Sequence, residues 1–270
     1  MSTLSGTAAR EARWRQLQTL FAARGALPLA HAAEALQVSA MTIRRDLAGP
    51  EAPLSCLGGY VVAALAPAAA RYTLDEEADQ HAPHKRLACR RAAEQVQAGD
   101  SLFIDCGTTM PHLAEALPPD IALNVVCYSL NIATILSRRP NTQLMLLGGL
   151  YHASSASFSS DEAVAYLRRL GVNKAFISAG GVHAERGASC ANFHEVPVKQ
   201  AAIASAAESF LVVDDSKLGR LRPAFFSPLA RFSRIIVGGA PSPTMRTQFK
   251  GLKLEVAAAP SSATAARRRG

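Results

Sequence analysis

The sequence predicts a chain in two parts: a small, mostly helical N-terminal unit and a larger α/β unit built on a parallel sheet. Three observations carry this. Two short helical patterns separated by a minimal turn occupy residues 29–47. From Ser101 onward, short apolar runs alternate with helical ones, the rhythm of strands joined by crossover helices. Each of those apolar runs then ends in small, glycine-rich or polar residues.

Composition sets the outer limits. A chain of 270 residues, 49% of them apolar, can bury a sizeable core. Charge, Gly or Pro breaks every apolar run well short of a membrane span, and the first sixteen residues contain no apolar leader segment, so a cytoplasmic protein with no membrane partner is expected. Five cysteines, scattered and without a C-x-x-C, read as reduced thiols. The net charge of +8 suits a polyanion partner but does not localise it, since residues 1–60 carry only six arginines against four acids.

Residues 1–8 carry no pattern and read as disordered. Arg10 to Arg24 reads as a helix with Trp14, Leu17, Leu20 and Phe21 on one stripe and Gly25 at its end. Leu29 to Leu36 reads as a second short helix, and Gln37-Val38 leaves room only for a tight turn. Ser39 then caps a third helix, Ser39 to Leu47, in which Ile43 and Leu47 face a core while Arg44 and Arg45 point away. Cys56 to Val62 reads as a short hairpin. Together these make a winged helix-turn-helix whose third helix presents Ser39, Thr42, Arg44 and Arg45 to a major groove. Asp46, which DNA phosphate would repel, is assigned to an internal ion pair.

An Ala/Pro-rich linker follows, and a helix is expected from about His84. His81 and His84 have no Cys or carboxylate at ligand spacing and read as surface residues, so no metal and no cofactor is expected. Strands are expected at Leu102–Ile104, Leu123–Cys127, Gln143–Leu147, Lys174–Ile177, Phe210–Val213 and Arg234–Val237, with Leu252–Val256 as a possible last one. They would form a parallel sheet covered by helices on both faces.

Open parallel sheets bind ligands at the carboxyl ends of their strands, and those ends here are polar. Asp105-Cys-Gly-Thr-Thr109 leads into a helix, so Gly107, Thr108 and Thr109 offer backbone N–H groups and two hydroxyls to a phosphate. Lys199 and Lys217 supply positive charge. Asp105, Asn131 and Glu195 can bond sugar hydroxyls. Ser129, Gly148, Gly149, Gly180 and Gly181 complete the set of strand-end residues.

The run from Arg13 through Leu17 to Ser39, Thr42, Ile43, Arg44, Arg45, Asp46 and Leu47 resembles the helix-turn-helix signature of the DeoR family, with Phe21 where that family usually has an aliphatic residue. The resemblance continues through Asp105–Thr109, Gly148-Gly149, Ala179–Gly181, Glu195–Lys199 and Asp214–Lys217. In that family the wing usually ends in Arg-x-His-Gly-Gly; Ser55-Cys-Leu-Gly-Gly59 lacks the basic and imidazole groups. The resemblance implies an α/β protein with an N-terminal winged helix-turn-helix and a larger parallel-sheet effector domain similar to ribose-5-phosphate isomerase. Its expected divisions are a DNA-binding domain over 1–62, a linker over 63–83, the effector domain over 84–258 and a disordered basic tail over 259–270.

It further implies a homo-oligomeric repressor that binds a double-stranded operator and answers to a phosphorylated sugar. Cys127 to Asn131, with Tyr128-Ser129 where most of the family has Thr-Asn, together with Gly181-Val-His183, Leu57 to Tyr60 and Arg222 to Ala224, resembles the branch that governs deoxyribonucleoside catabolism, so deoxyribose 5-phosphate is the expected effector. The alternative, a sugar-phosphate isomerase, expects paired acids after the fourth strand. Ser178-Ala-Gly-Gly181 has none, so no catalytic residue is expected, although Glu185 and Glu195 lie nearby.

Overall fold

The computed structural model describes residues 3–24, 27–49, 52–57, 59–63 and 81–257. The chain divides into two compact units, the main break falling between residues 71 and 72. Most of the expected linker and all of the expected basic tail lie outside the described residues.

In the N-terminal unit, α1 spans Thr3–Arg24, β1 Leu27–Pro28, α2 Leu29–Ala35, α3 Ala40–Asp46, β2 Leu54–Leu57 and β3 Tyr60–Ala63. Helix α1 begins seven residues before the expected Arg10, which corrects the reading of residues 1–8 as disordered from Thr3 onward; residues 1 and 2 lie outside the described residues. Thr3 to Ala9 contain one glycine and no proline, so nothing there stops an established helix from growing backwards. The turn between α2 and α3 is tight because Gln37 takes a left-handed φ of 52°. Strands β2 and β3 pair antiparallel with Leu57 opposite Tyr60, a two-residue hairpin that includes Gly59 at φ 82°. Strand β1 adds to β3, giving the order β1-β3-β2. Leu17, Leu29, Ala32, Ile43, Leu47, Leu54 and Val61 close a core beneath the helices. Fully burying Ile43 alone is worth about 2 kcal/mol.

The larger unit opens with a helix over Ala82–Ala93, here called α4, two residues earlier than expected. Its strands are β4 Ser101–Ile104, β5 Leu123–Cys127, β6 Thr142–Leu146, β7 Leu150–His152, β8 Ser157–Ser159, β9 Lys174–Ile177, β10 Gly181–His183, β11 Gly187–Cys190, β12 Glu208–Asp214, β13 Ala224–Ser227, β14 Arg234–Gly238 and β15 Leu254–Ala257. Seven of them form one parallel sheet in the order β15-β14-β12-β9-β4-β5-β6. On one face Leu102, Ile104, Val125, Phe176, Phe210 and Val212 pack with α4 and the helices Met110–Ala116 and Leu130–Leu136. Phe103, Ala175, Ile177, Leu211 and Val213, alternating with them, are buried as well, so the central strands are covered on both sides. Two small antiparallel additions, β7-β8 and β10-β11-β13, sit outside the main sheet.

The strand order matters for function. From β4 the chain winds outward through β5 and β6, then returns to β9 on the other side of β4 and winds away through β12, β14 and β15. The reversal puts a crevice between the carboxyl ends of β4 and β9, where such sheets bind ligands.

At the opposite, amino end of the same strands, Asp100 accepts from Lys174 Nζ (2.7 Å), Asn173 Nδ2 (2.6 Å) and the Gln97 N–H (2.8 Å). Burial pushes its pKa up, but Lys174 and the other donors outweigh that and hold it below the ordinary carboxylate value. A depressed folded-state pKa means stability that is present above about pH 4 and lost as pH falls through the folded value. Asp100→Asn is therefore expected to cost about 2 kcal/mol at neutral pH. The gap to wild type should close on acidification, as measured by urea unfolding across a pH series.

Candidate functional site

Ser39 caps α3: its Oγ accepts from the Thr42 N–H at 3.0 Å and lies 2.9 Å from Thr42 Oγ1. Ile43 turns inward, fully buried, while Arg44 and Arg45 are exposed. Asp46 is buried and paired with Arg13 Nε at 2.6 Å, the internal ion pair its position requires. The Asp46 carbonyl also accepts from Trp14 Nε1 at 3.0 Å. One helix end thus presents two guanidinium groups with its only acid neutralised from behind. Burial pushes the Cys56 thiol on β2 up, and the charge of Arg44 opposes it.

The second site is the crevice at the reversal of strand order. It is lined by Gly107, Thr108 and Thr109 after β4, Ser178, Ala179 and Gly180 after β9, Lys217 after β12, and Glu195, Lys199, Ser155, Cys190 and Ala191. The space between these residues is about 460 Å³ when the part open to solvent is counted. Gly107 is required where it stands: φ is 95°, and a Cβ there would lie 3.0 Å from Ser178 Oγ.

Under the floor lies a buried charge network. Lys199 Nζ reaches Asp105 Oδ2 at 2.5 Å, Glu195 Oε2 at 3.4 Å and the Ser178 carbonyl at 3.3 Å, with the Phe226 ring 5.2 Å away. Burial works to lower the Lys199 pKa, but Asp105 and Glu195 outweigh it and hold it well above the ordinary lysine value, so the group is an ammonium. Asp105 Oδ2 also accepts from the Ser178 N–H (2.8 Å) and Oγ (2.9 Å), and Oδ1 from the Tyr128 hydroxyl (2.7 Å). Burial first, then the Asp105 charge, pushes the Tyr128 phenol well above its usual value, so it stays a donor.

Of the residues picked out as ligand contacts, Gly107, Thr108, Thr109, Gly180, Glu195, Lys199 and Lys217 converge on this crevice. Asp105 does not meet solvent: it is wholly buried and four donors already occupy its oxygens, so it fastens β4 to β9 and to Lys199 rather than binding a sugar hydroxyl. Ser129 is buried in a bridge to Ser157. Gly181 packs where a Cβ would meet the Arg220 carbonyl at 2.6 Å, and Gly149 where one would meet the Ser159 carbonyl at 2.3 Å. Gly148 is exposed by the end of β6, and Asn131 is exposed on the helix after β5. The structure brings none of these to the crevice.

Sequence reasoning missed Ser155, Ser178, Cys190 and, most usefully, Lys85. Lys85 comes from α4, is wholly buried, and donates to Thr108 Oγ1 at 3.0 Å. The helix after Thr109 has only seven residues, so the cationic side chains and hydroxyls outweigh its dipole as anion-holding groups.

Residues 13–62 match the family model for the DeoR-like helix-turn-helix domain, and residues 80–239 that for the DeoR C terminal sensor domain. The chain is 42% identical over 228 residues to the deoxyribose operon repressor of Escherichia coli (strain K12), covering 84% of this chain and 90% of that one. It is 30% identical over 188 residues to the glycerol-3-phosphate regulon repressor of the same organism, covering 69% and 74%. Among solved structures, ribose 5 phosphate isomerase A from Neisseria gonorrhoeae overlays 49% of this chain and 52% of its own, at 18% identity and a TM-score of 0.35, too distant to bear on function.

Proposed function

The chain belongs to the DeoR family, and from that premise we propose that it is an operator-binding repressor whose grip on DNA is set by a phosphorylated sugar, deoxyribose 5-phosphate, held in the crevice between β4 and β9. The observation that carries the ligand class is the convergence of Thr108, Thr109 and Lys217 on that crevice, with the Lys85 ammonium bonded to Thr108 from behind. Hydroxyls and lysines around a small polar cleft suit a phosphate. Glu195 on the same wall offers an acceptor to sugar hydroxyls.

Glu195 in the crevice wall and Asp105 beneath its floor are both bound to Lys199. That arrangement suits holding a ligand in place better than taking a proton from it, which favours a sensor over an isomerase. The 42% identity to a deoxyribose operon repressor supports deoxyribose 5-phosphate over other sugar phosphates. Arg44 and Arg45 are assigned to the operator, with a homo-oligomer presenting two α3 helices to repeated half-sites. Regulation then needs only that the sugar phosphate bind the DNA-competent and incompetent arrangements with different affinity.

A thermal-shift panel of deoxyribose 5-phosphate, ribose 5-phosphate, glycerol 3-phosphate and inorganic phosphate tests the effector. A ligand bound only to the native state raises the midpoint with concentration. Deoxyribose 5-phosphate is expected to give the largest shift and to release operator DNA in gel retardation. Silence across the panel would reject the crevice as a sugar-phosphate site. Thr108→Val should raise the deoxyribose 5-phosphate concentration for half-release by about tenfold or more, the worth of a hydrogen bond to a charged group, while Thr108→Ser should stay near wild type.

A further inference from the structure

We propose that His81, His84 and Asp215 form a binding site for a divalent transition-metal ion of the zinc class. His84 sits in the first turn of α4, and His81 immediately precedes the helix with a left-handed φ of 56°. Asp215 arrives from the turn after β12, 131 residues further along the chain than His84. A ligating atom of each residue lies within 4.8 Å of the other two. His84 Nδ1 and Asp215 Oδ1 are already 2.8 Å apart, and the two imidazole centroids are 6.1 Å apart. Asp215 Oδ2 accepts from the Ala240 N–H at 2.9 Å, which fixes the carboxylate's direction.

The backbone leaves room for this cluster. Gly239 has a φ of 114°, and a Cβ there would come within 2.6 Å of both Asp215 Oδ2 and His84 Nδ1. Two imidazoles and a carboxylate are the ligand set of open three-ligand zinc sites, which leave a fourth position to water. Mixed nitrogen and oxygen donors of this kind favour zinc, nickel or cobalt over magnesium and calcium, which take oxygen ligands. Metal–donor bonds of about 2.1 Å in a tetrahedron put donors roughly 3.4 Å apart, so the trio closes by side-chain rotation, which exposed His81 can make. Binding the ion through Nδ1 needs the neutral His84 tautomer with its one ring proton on Nε2, so the His84–Asp215 hydrogen bond gives way to two metal–ligand bonds. In sequence the two histidines lack a carboxylate at ligand spacing; the fold supplies it. The ion would also join the helix that bears Lys85 to the turn that bears Lys217.

A plain His84–Asp215 hydrogen bond would need no third residue, so His81 discriminates. The full chain, stripped with EDTA and dialysed, is titrated with Zn2+ by calorimetry and thermal shift, and with Co2+ for its visible spectrum. One ion per chain, a raised thermal midpoint and a cobalt spectrum without a thiolate charge-transfer band are expected, the last excluding the five cysteines. His81→Gln should weaken binding by about tenfold or more with unchanged circular dichroism, and Asp215→Asn likewise if it folds. Absence of binding, a thiolate band, or wild-type affinity in His81→Gln would overturn the site.

Discussion

Lys199→Met is expected to destabilise the C-terminal unit by about 3–5 kcal/mol, the cost of breaking a buried ion pair from one side. Lys199 is 1% exposed, and Asp105, its nearest partner, is 0% exposed. The substitution leaves Asp105 with three donors from Tyr128 and Ser178 but no compensating charge, and it strips Glu195 of its cation as well. Because the expected loss comes from an uncompensated charge, removing that charge should recover part of it. Asp105→Asn combined with Lys199→Met should therefore lie closer to wild type than the sum of the two single changes, with a coupling of about 1–3 kcal/mol. The pH dependence has a definite sign. A lysine whose folded pKa is raised contributes stability that is fully present below about pH 10.4 and is lost only as pH rises through the higher folded value. The difference between wild type and Lys199→Met should thus hold steady through the neutral and mildly alkaline range. Urea unfolding at several pH values measures it. A difference below about 1 kcal/mol at neutral pH would mean that Lys199 does not hold the strand ends together.

This network also shows where sequence is informative and where it stops. The α3 helix and all seven parallel strands are legible because each carries its own signal: Ser39 as a cap, Ile43 and Leu47 four apart, and apolar runs bounded by Gly and Asp. Strands β7, β8, β10 and β11, no shorter than β4 or β9 by more than a residue, mix glycine, serine or histidine into three or four positions and carry no apolar run, and β13 stands outside the strand–helix alternation. Strand ends are visible, but strand order is not. Asn131 follows β5 and Gly148 follows β6, one and two strands from β4, or about 5 and 10 Å away from the crevice. Asp105 shows the limit differently: its place after β4 is plain, whereas the saturation of its oxygens depends on Tyr128, Ser178 and Lys199, from three separate segments. Lys85 belongs to no motif and becomes visible only when α4 is laid against β12 and β14, which brings it beside Thr108 in the loop after β4. The same holds for Asp215, which completes the histidine pair.

Arg45→Ala is expected to reduce specific operator affinity by about 5- to 150-fold, the loss of a bidentate arginine–guanine contact worth about 1–3 kcal/mol. Consecutive helical residues diverge by about 100°, so Arg44 and Arg45 cannot address the same base; if one reads a guanine edge, the other is placed for the phosphate backbone. The two roles separate by salt. Loss of a phosphate contact weakens all duplexes alike and lowers the slope of log affinity against log salt by about one, whereas loss of a base contact leaves that slope and relaxes sequence preference. The double change Arg44→Ala with Arg45→Ala should then abolish discrimination between operator and random duplex. Neither arginine belongs to the core of Leu17, Ile43, Leu47 and Val61, and Asp46 is held by Arg13 instead, so the variants should melt like wild type. Gel retardation over duplexes tiling the region upstream of the chain's own gene supplies the measurement. Undiminished specific retardation by the double variant would take operator reading away from α3, and the wing lacks the basic groups to replace it.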